Sequence, residues 1–123
     1  MVSKILVILA LSVASAWSLA SAQDYILFNG GIGLEERAQA PTTGVRLVFF
    51  EKSGDFRTNV DVTIKNQAGE AIIHTVTQGP WLILDLPPGS YQVHAQLDAD
   101  NAQGGVITVD GTAQEFAYMF QVE

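Results

Sequence analysis

No cysteine occurs among the 123 residues. That excludes disulfides, a thiol nucleophile and lipid attachment through a cysteine, so stability has to come from a hydrophobic core. Basic residues are scarce too. Beyond position 22 there are five (Arg37, Arg46, Lys52, Arg57, Lys65) against thirteen acidic residues, a net of −8. Such a chain holds nucleic acid poorly, because phosphate contacts need Lys and Arg, and it is equally unsuited to anionic membranes. Its charge serves solubility. Long helical periodicity is missing as well. Only residues 33–40 offer a helix, ended by Pro41, and a βαβ fold needs crossover helices this chain does not have. Serine is rare beyond the leader: only Ser53 and Ser90, each beside a glycine, with no Gly-x-Ser-x-Gly elbow.

One apolar run stands at the front. Lys4 supplies a positive start, Ile5 to Val13 an apolar centre, and Ala20-Ser21-Ala22 a small-residue cleavage site. Residues 1–22 are therefore expected to be a signal peptide, leaving Gln23 at the mature end. The run is too short to span a membrane, and no stop-transfer segment follows. Export without disulfides places the protein in a bacterial periplasm or outside the cell, with no transmembrane anchor after processing.

From residue 44 the pattern is β almost throughout. Val45–Glu51 is apolar and β-branched. Val60, Val62 and Ile64 alternate with Asp61, Thr63 and Lys65, the period of a half-buried strand. The stretches 71–78, 81–86, 91–98, 106–110 and 115–122 supply five more strands. Asn66 and Gly69 offer positive φ for a hairpin, and Pro88-Gly89 suits a type II turn. The segment "ADNAQGG" (99–105) is expected to be a loop. Seven short strands at this spacing predict an all-β, antiparallel seven-strand sandwich over 44–123, after a mobile leader at 23–43. Trp81, Tyr91, Phe116 and Phe120 are the expected core anchors. His94 and Asp85 are expected outside, and His74 partly buried.

"NGGIGLEERAQA" (29–40) raises the question of a phosphate loop. A dinucleotide fold needs a third glycine where Glu36 stands, and a P-loop needs Gly-Lys-Ser/Thr. Glu35 and Glu36 would also repel phosphate. The expectation is a leader ending in a short helix, or one whose Ile32 and Leu34 cover an edge of the sandwich.

"GPWLILDLPPGSYQV" (79–93) resembles the core signature of carboxypeptidase regulatory-like domains. There a buried strand runs into Leu-Pro-Pro-Gly (here 86–89) and a Tyr two residues later, here Tyr91. Residues 60–80 are similar to the preceding hairpin of that family and 104–122 to its closing pair, while "GGIGLEER" (30–37) is similar to a segment preceding the domain in small exported bacterial members. The acidic, longer "DADNAQGG" departs from the pattern. The resemblance implies a transthyretin-like sandwich with no catalytic centre, acting as an accessory or interaction module toward an envelope protein or polymer. A carbohydrate- or peptidoglycan-binding module is the alternative. A transthyretin-like hydrolase is a third, but its His/Arg and Tyr-Arg-Gly-Ser-like motifs are missing.

No catalytic, cofactor or metal residues are assigned. Two histidines on separate strands fall short of a zinc set. The Asp98, Asp100, Asn101 cluster has carboxylates at calcium-like spacing but lacks the glycine and closing glutamate of an EF-hand. Exposure of Trp81, Phe28 or Phe56 on one face would favour sugar binding, and convergence of His74, His94 and an Asp in a cleft would favour an enzyme.

Overall fold

The computed structural model describes residues 23–122; the expected signal peptide lies outside them. After a 3₁₀ turn at Gln23–Tyr25 come β1 (Ile26–Gly30), α1 (Gly33–Ala38), β2 (Val45–Glu51), β3 (Asp61–Lys65), β4 (Ala71–Val76), β5 (Trp81–Leu84), β6 (Gly89–Asp98), β7 (Asn101–Val109) and β8 (Gln114–Phe120). They form two four-stranded sheets, ordered β1-β5-β2-β8 and β4-β3-β6-β7. The all-β sandwich expected from the alternation is present, with eight strands among the described residues rather than seven.

The additional strand comes from the segment expected to be a mobile leader. β1 pairs antiparallel with β5, Gly30 opposite Trp81 and Ile26 opposite Leu84. Tyr25 and Ile26 pack against the core, and Tyr25 O accepts a hydrogen bond from Asp85 N at 2.8 Å. Five residues without clear alternation carry little sequence signal. Their strand state comes from the free edge of β5, which needs a partner for its backbone groups.

Pairing is not antiparallel throughout. β2 and β8 run parallel, Val45 opposite Gln114 through Glu51 opposite Phe120. The expected loop at 99–105 is mostly strand. β7 starts at Asn101 opposite Asp98 and, after an irregularity in β6 between Gln96 and Asp98, keeps one register from Ala102 through Gly104, opposite His94. A Cβ on Gly104 would collide with the Val93 carbonyl, so glycine permits the close approach that keeps this hairpin long. Polar residues suit an edge strand facing water.

The core follows the alternation. Leu47, Phe49, Val60, Val62, Ile64, Leu82, Leu84, Ala95 and Phe120 are completely buried between the sheets. Phe49 stacks on Tyr118 and Phe120 with ring centroids 5.7 and 6.5 Å apart. Tyr91 and Phe120 are core residues, and Phe116, half-buried, packs against the core cluster. Trp81 does not belong there. Leu82 and Leu84 take the inner face of β5, so the alternation sends Trp81 to the outer one.

The turns depart in detail from expectation. Gly69 has φ +81°, but Asn66 contributes its side chain instead, its Oδ1 accepting from Ala68 N and Glu70 N at 3.0 Å each. Gly89 enters β6 at φ 156°, not the roughly +80° of a type II turn. Tyr91 secures that corner by donating from its hydroxyl to Pro87 O at 2.7 Å.

Thr77 is a buried polar residue that composition did not flag. Its Oγ1 accepts from Val60 N at 2.9 Å, while its own N–H donates to Val60 O. Thr77→Val leaves the buried Val60 N–H without a partner. A loss of about 1–3 kcal/mol is expected in urea unfolding; an unchanged midpoint would show that the bond contributes nothing.

Burial pushes the Tyr118 hydroxyl up from 10.0 to about 12. The folded state holds this proton more tightly than the unfolded state, so the stabilisation is complete below pH 10. It is lost as pH rises toward about 12. Tm should fall between pH 10 and 12, and Tyr118→Phe should flatten that fall; an equal fall in the variant would assign it elsewhere.

Candidate functional site

Two outer faces gather chemistry. On the outer side of the β1-β5-β2-β8 sheet, residues 29–40 fold back onto Trp81. The Gly31 N–H donates to Glu36 Oε1 at 2.8 Å, and the Gly31 carbonyl accepts from Arg37 Nε at 2.7 Å. Both backbone groups of one residue are thus held by adjacent helix residues. A Cβ on Gly30 would push Glu36 Oε1 out of this bond, and Gly31 has φ +98° with its Cα face against Trp81, which favours glycine there. Glu36, which argued against a phosphate loop, is the clasp that shapes this turn.

Arg37 then reaches over two rings, its guanidinium carbon 4.5 Å from the Phe56 centroid and 5.8 Å from that of Trp81. Arg46, from β2, lies 4.4 Å from the Trp81 centroid and pairs through Nε with Glu115 at 2.8 Å. Phe56 is exposed, while Trp81 and Phe28 are half-buried. The aromatic face considered for sugar binding is therefore on the surface with polar neighbours. Its rings, however, already carry guanidinium groups and the Gly31 backbone, and stacking needs an open ring face. Ile32 and Leu34 are 60% and 82% exposed, so neither covers the sandwich.

The other face belongs to β4-β3-β6-β7. Strand register places His74, Thr63, His94 and Gly104 in one row across four strands. Ile73 takes the inner phase of β4, which turns His74 outward; its side chain is 65% exposed rather than partly buried. His74 Nε2 lies 2.8 Å from Asp61 Oδ1. His94 is exposed as expected, with Nε2 2.9 Å from Gln96 Oε1. The two histidines do not converge, since one strand separates them. Ser53 is engaged with Glu51 at 2.8 Å, and Ser90 pairs with Thr108 at the far end of β6. Beside His94 the sheet is hollowed into a groove of about 470 Å³ over Gly104, lined by Thr63, Lys65, Gln92 and His94.

The Asp98 cluster is a turn. Asp98 Oδ1 accepts from Asp100 N and Asn101 Nδ2 at 2.9 Å each. The Asp100 backbone N–H, then the Asn101 side chain, hold the Asp98 carboxyl below its usual value. Those donors, with a further bond from Asn101 Nδ2 at 3.0 Å, engage both oxygens of Asp98. Asp85 is exposed, as expected. Among the described residues no three His, Asp or Glu side chains are grouped to hold a metal, and no helix is long and apolar enough to cross a membrane.

No protein-family model matches the chain, and no curated protein matches it. Register and side-chain geometry therefore carry the functional argument. The sequence had flagged both histidines and Trp81 singly. It offered no signal for the groove, because a missing side chain at Gly104 matters only once β7 lies against β6.

Proposed function

We propose that this chain is an exported, non-catalytic interaction module of the bacterial envelope, of the carboxypeptidase regulatory-like, transthyretin-like kind. It binds an extended segment of an envelope protein by strand addition at β7, in the periplasm or outside the cell. The observation that supports this is the state of the four sheet edges. β1 is five residues long, with an irregularity between Ile26 and Phe28. β4 carries a register shift, and its Val76 carbonyl accepts from the Asn29 side chain at 3.1 Å. β8 presents Glu115. β7 is nine residues long, with no Pro and no charged residue from Asn101 to Val109. Among the described residues only one end is covered, where Gln114 Nε2 donates to Thr108 O at 3.0 Å. Gly104, Gly105 and Val106 are all exposed. Natural edges are normally blunted by charge, proline, bulges or cover, and an edge left open is a template for another strand.

The test is recovery of a partner from envelope extract by the chain 23–123, followed by amide exchange on the complex. Protection at 101–107 and loss of recovery on placing lysine at both Val106 and Thr108 would agree with strand addition. Equal recovery by that variant, or no partner, would sink it.

The half-exposed Trp81 and exposed Phe56 favour carbohydrate or peptidoglycan binding as a second reading. The stacked guanidinium groups count against their use as a bare platform. A hydrolase is least supported: His74 and Asp61 form a pair on an open face, and neither serine stands beside them.

A further inference from the structure

We infer that the groove over Gly104 is a binding site for a hydroxylated carboxylate, such as a uronic acid unit of a polysaccharide. The inference is independent of strand addition at β7, because it uses side chains on the sheet face rather than the backbone of the edge.

The cavity comes from the backbone. Gly104 lies opposite His94 and contributes no side chain to the face. Its Cα lies so close to the Val93 carbonyl that a Cβ has no room. The resulting volume, about 470 Å³, falls in the range of small-molecule sites, roughly 300–1,000 Å³.

The lining selects the ligand. Lys65 is one of five cations in a strongly acidic mature chain, and it takes part in no ion pair among the described residues. No Asp or Glu lines the groove. The nearest carboxylate along β3, Asp61, is directed to His74 at 2.8 Å. An ammonium without a counter-charge, in a groove without carboxylates, favours an anionic ligand over a cationic one. Among the described residues no Phe, Tyr or Trp lines the site, so recognition rests on hydrogen bonds rather than on a stacking platform.

A relay orients the remaining polar group. Gln96 Nε2 donates to Asp98 O, which fixes the amide so that Oε1 accepts from His94 Nε2–H. His94 therefore keeps Nδ1 as its open nitrogen, an acceptor in the neutral ring. Thr63 and Gln92 both donate and accept. One cation, two groups that bond hydroxyls in either sense and one acceptor nitrogen together match a ligand carrying one carboxylate and several hydroxyls. It does not match a phosphate, which would leave the acceptors unused.

Titration of the ¹⁵N-labelled chain 23–123 with trigalacturonate, against maltotriose as the neutral control, tests this. Amide shifts centred on Thr63, Lys65, Gln92, His94 and Gly104 are expected with the uronate and not with maltotriose. Lys65→Met should weaken uronate binding about tenfold, with an otherwise unchanged spectrum showing that the variant folds. Gln92→Ala, on the exposed face of β6, should weaken it independently of charge. No shifts at millimolar uronate would overturn the inference. So would shifts centred on Arg37 and Arg46, equal binding of maltotriose, or undiminished binding by Lys65→Met.

Discussion

A chain that begins at Gly44 is expected to lose cooperative folding or to retain only a small part of its stability. Removing 23–43 takes away β1, and with it the hydrogen-bonding partner of one side of β5. It uncovers Leu82, Ile83 and Leu84, which are now at most 1% exposed. Tyr25 and Ile26 leave the core edge as well. Each large apolar side chain returned to water costs about 1.5–3 kcal/mol. Several together remove most of the roughly 5–15 kcal/mol that holds a small domain folded. Urea unfolding followed by near-ultraviolet circular dichroism measures the effect. A truncated chain melting within a few degrees of 23–123 would show that β1 is an ornament on a self-sufficient seven-strand unit.

Gly79→Ala is expected to be strongly damaging for so small a change. A Cβ at position 79 would collide with the carbonyl of Gly30, backbone against backbone. Neither partner can rotate away, so β1 must move off β5. Overpacking of this kind costs about 1–3 kcal/mol or more, and the rigid neighbour places this case at the upper end. The collision also predicts where the damage appears: faster amide exchange in β1 and β5, with β3 and β6 unaffected. Gly33→Ala is the contrast. No atom approaches that position, so only its φ of +81° opposes alanine, at about 1–2 kcal/mol. If Gly33→Ala proves as costly as Gly79→Ala, the close approach of β1 is not what position 79 serves.

Both expectations concern a segment whose strand was hidden in the sequence. Tyr25 to Gly30 has an apolar run but no alternation, because an irregularity between Ile26 and Phe28 breaks the period. The same difficulty applies to residues 101–105, which are polar and glycine-containing yet form half of the longest hairpin. In both, strand geometry is imposed by a neighbour's unpaired backbone rather than by propensity. The parallel pairing of β2 with β8 was equally illegible, since it joins residues about seventy positions apart.

The sequence by itself determined the all-β class and the inward face of β3. Alternation along β3 predicted which residues are buried there, because a side-chain period of two leaves one choice once one face is apolar. It also excluded thiol chemistry and phosphate-loop chemistry, since those need particular residues that are missing or misplaced. Tertiary structure alone decided what the remaining residues do. Glu36 and Arg37 became a clasp on Gly31, Trp81 an outward ring under two guanidinium groups, and Gly104 the floor of a groove beside His94 and Lys65. The physical reason is common to all three. Each depends on which strand lies beside which and on the absence of a side chain at one contact, and neither is written in the local order of residues.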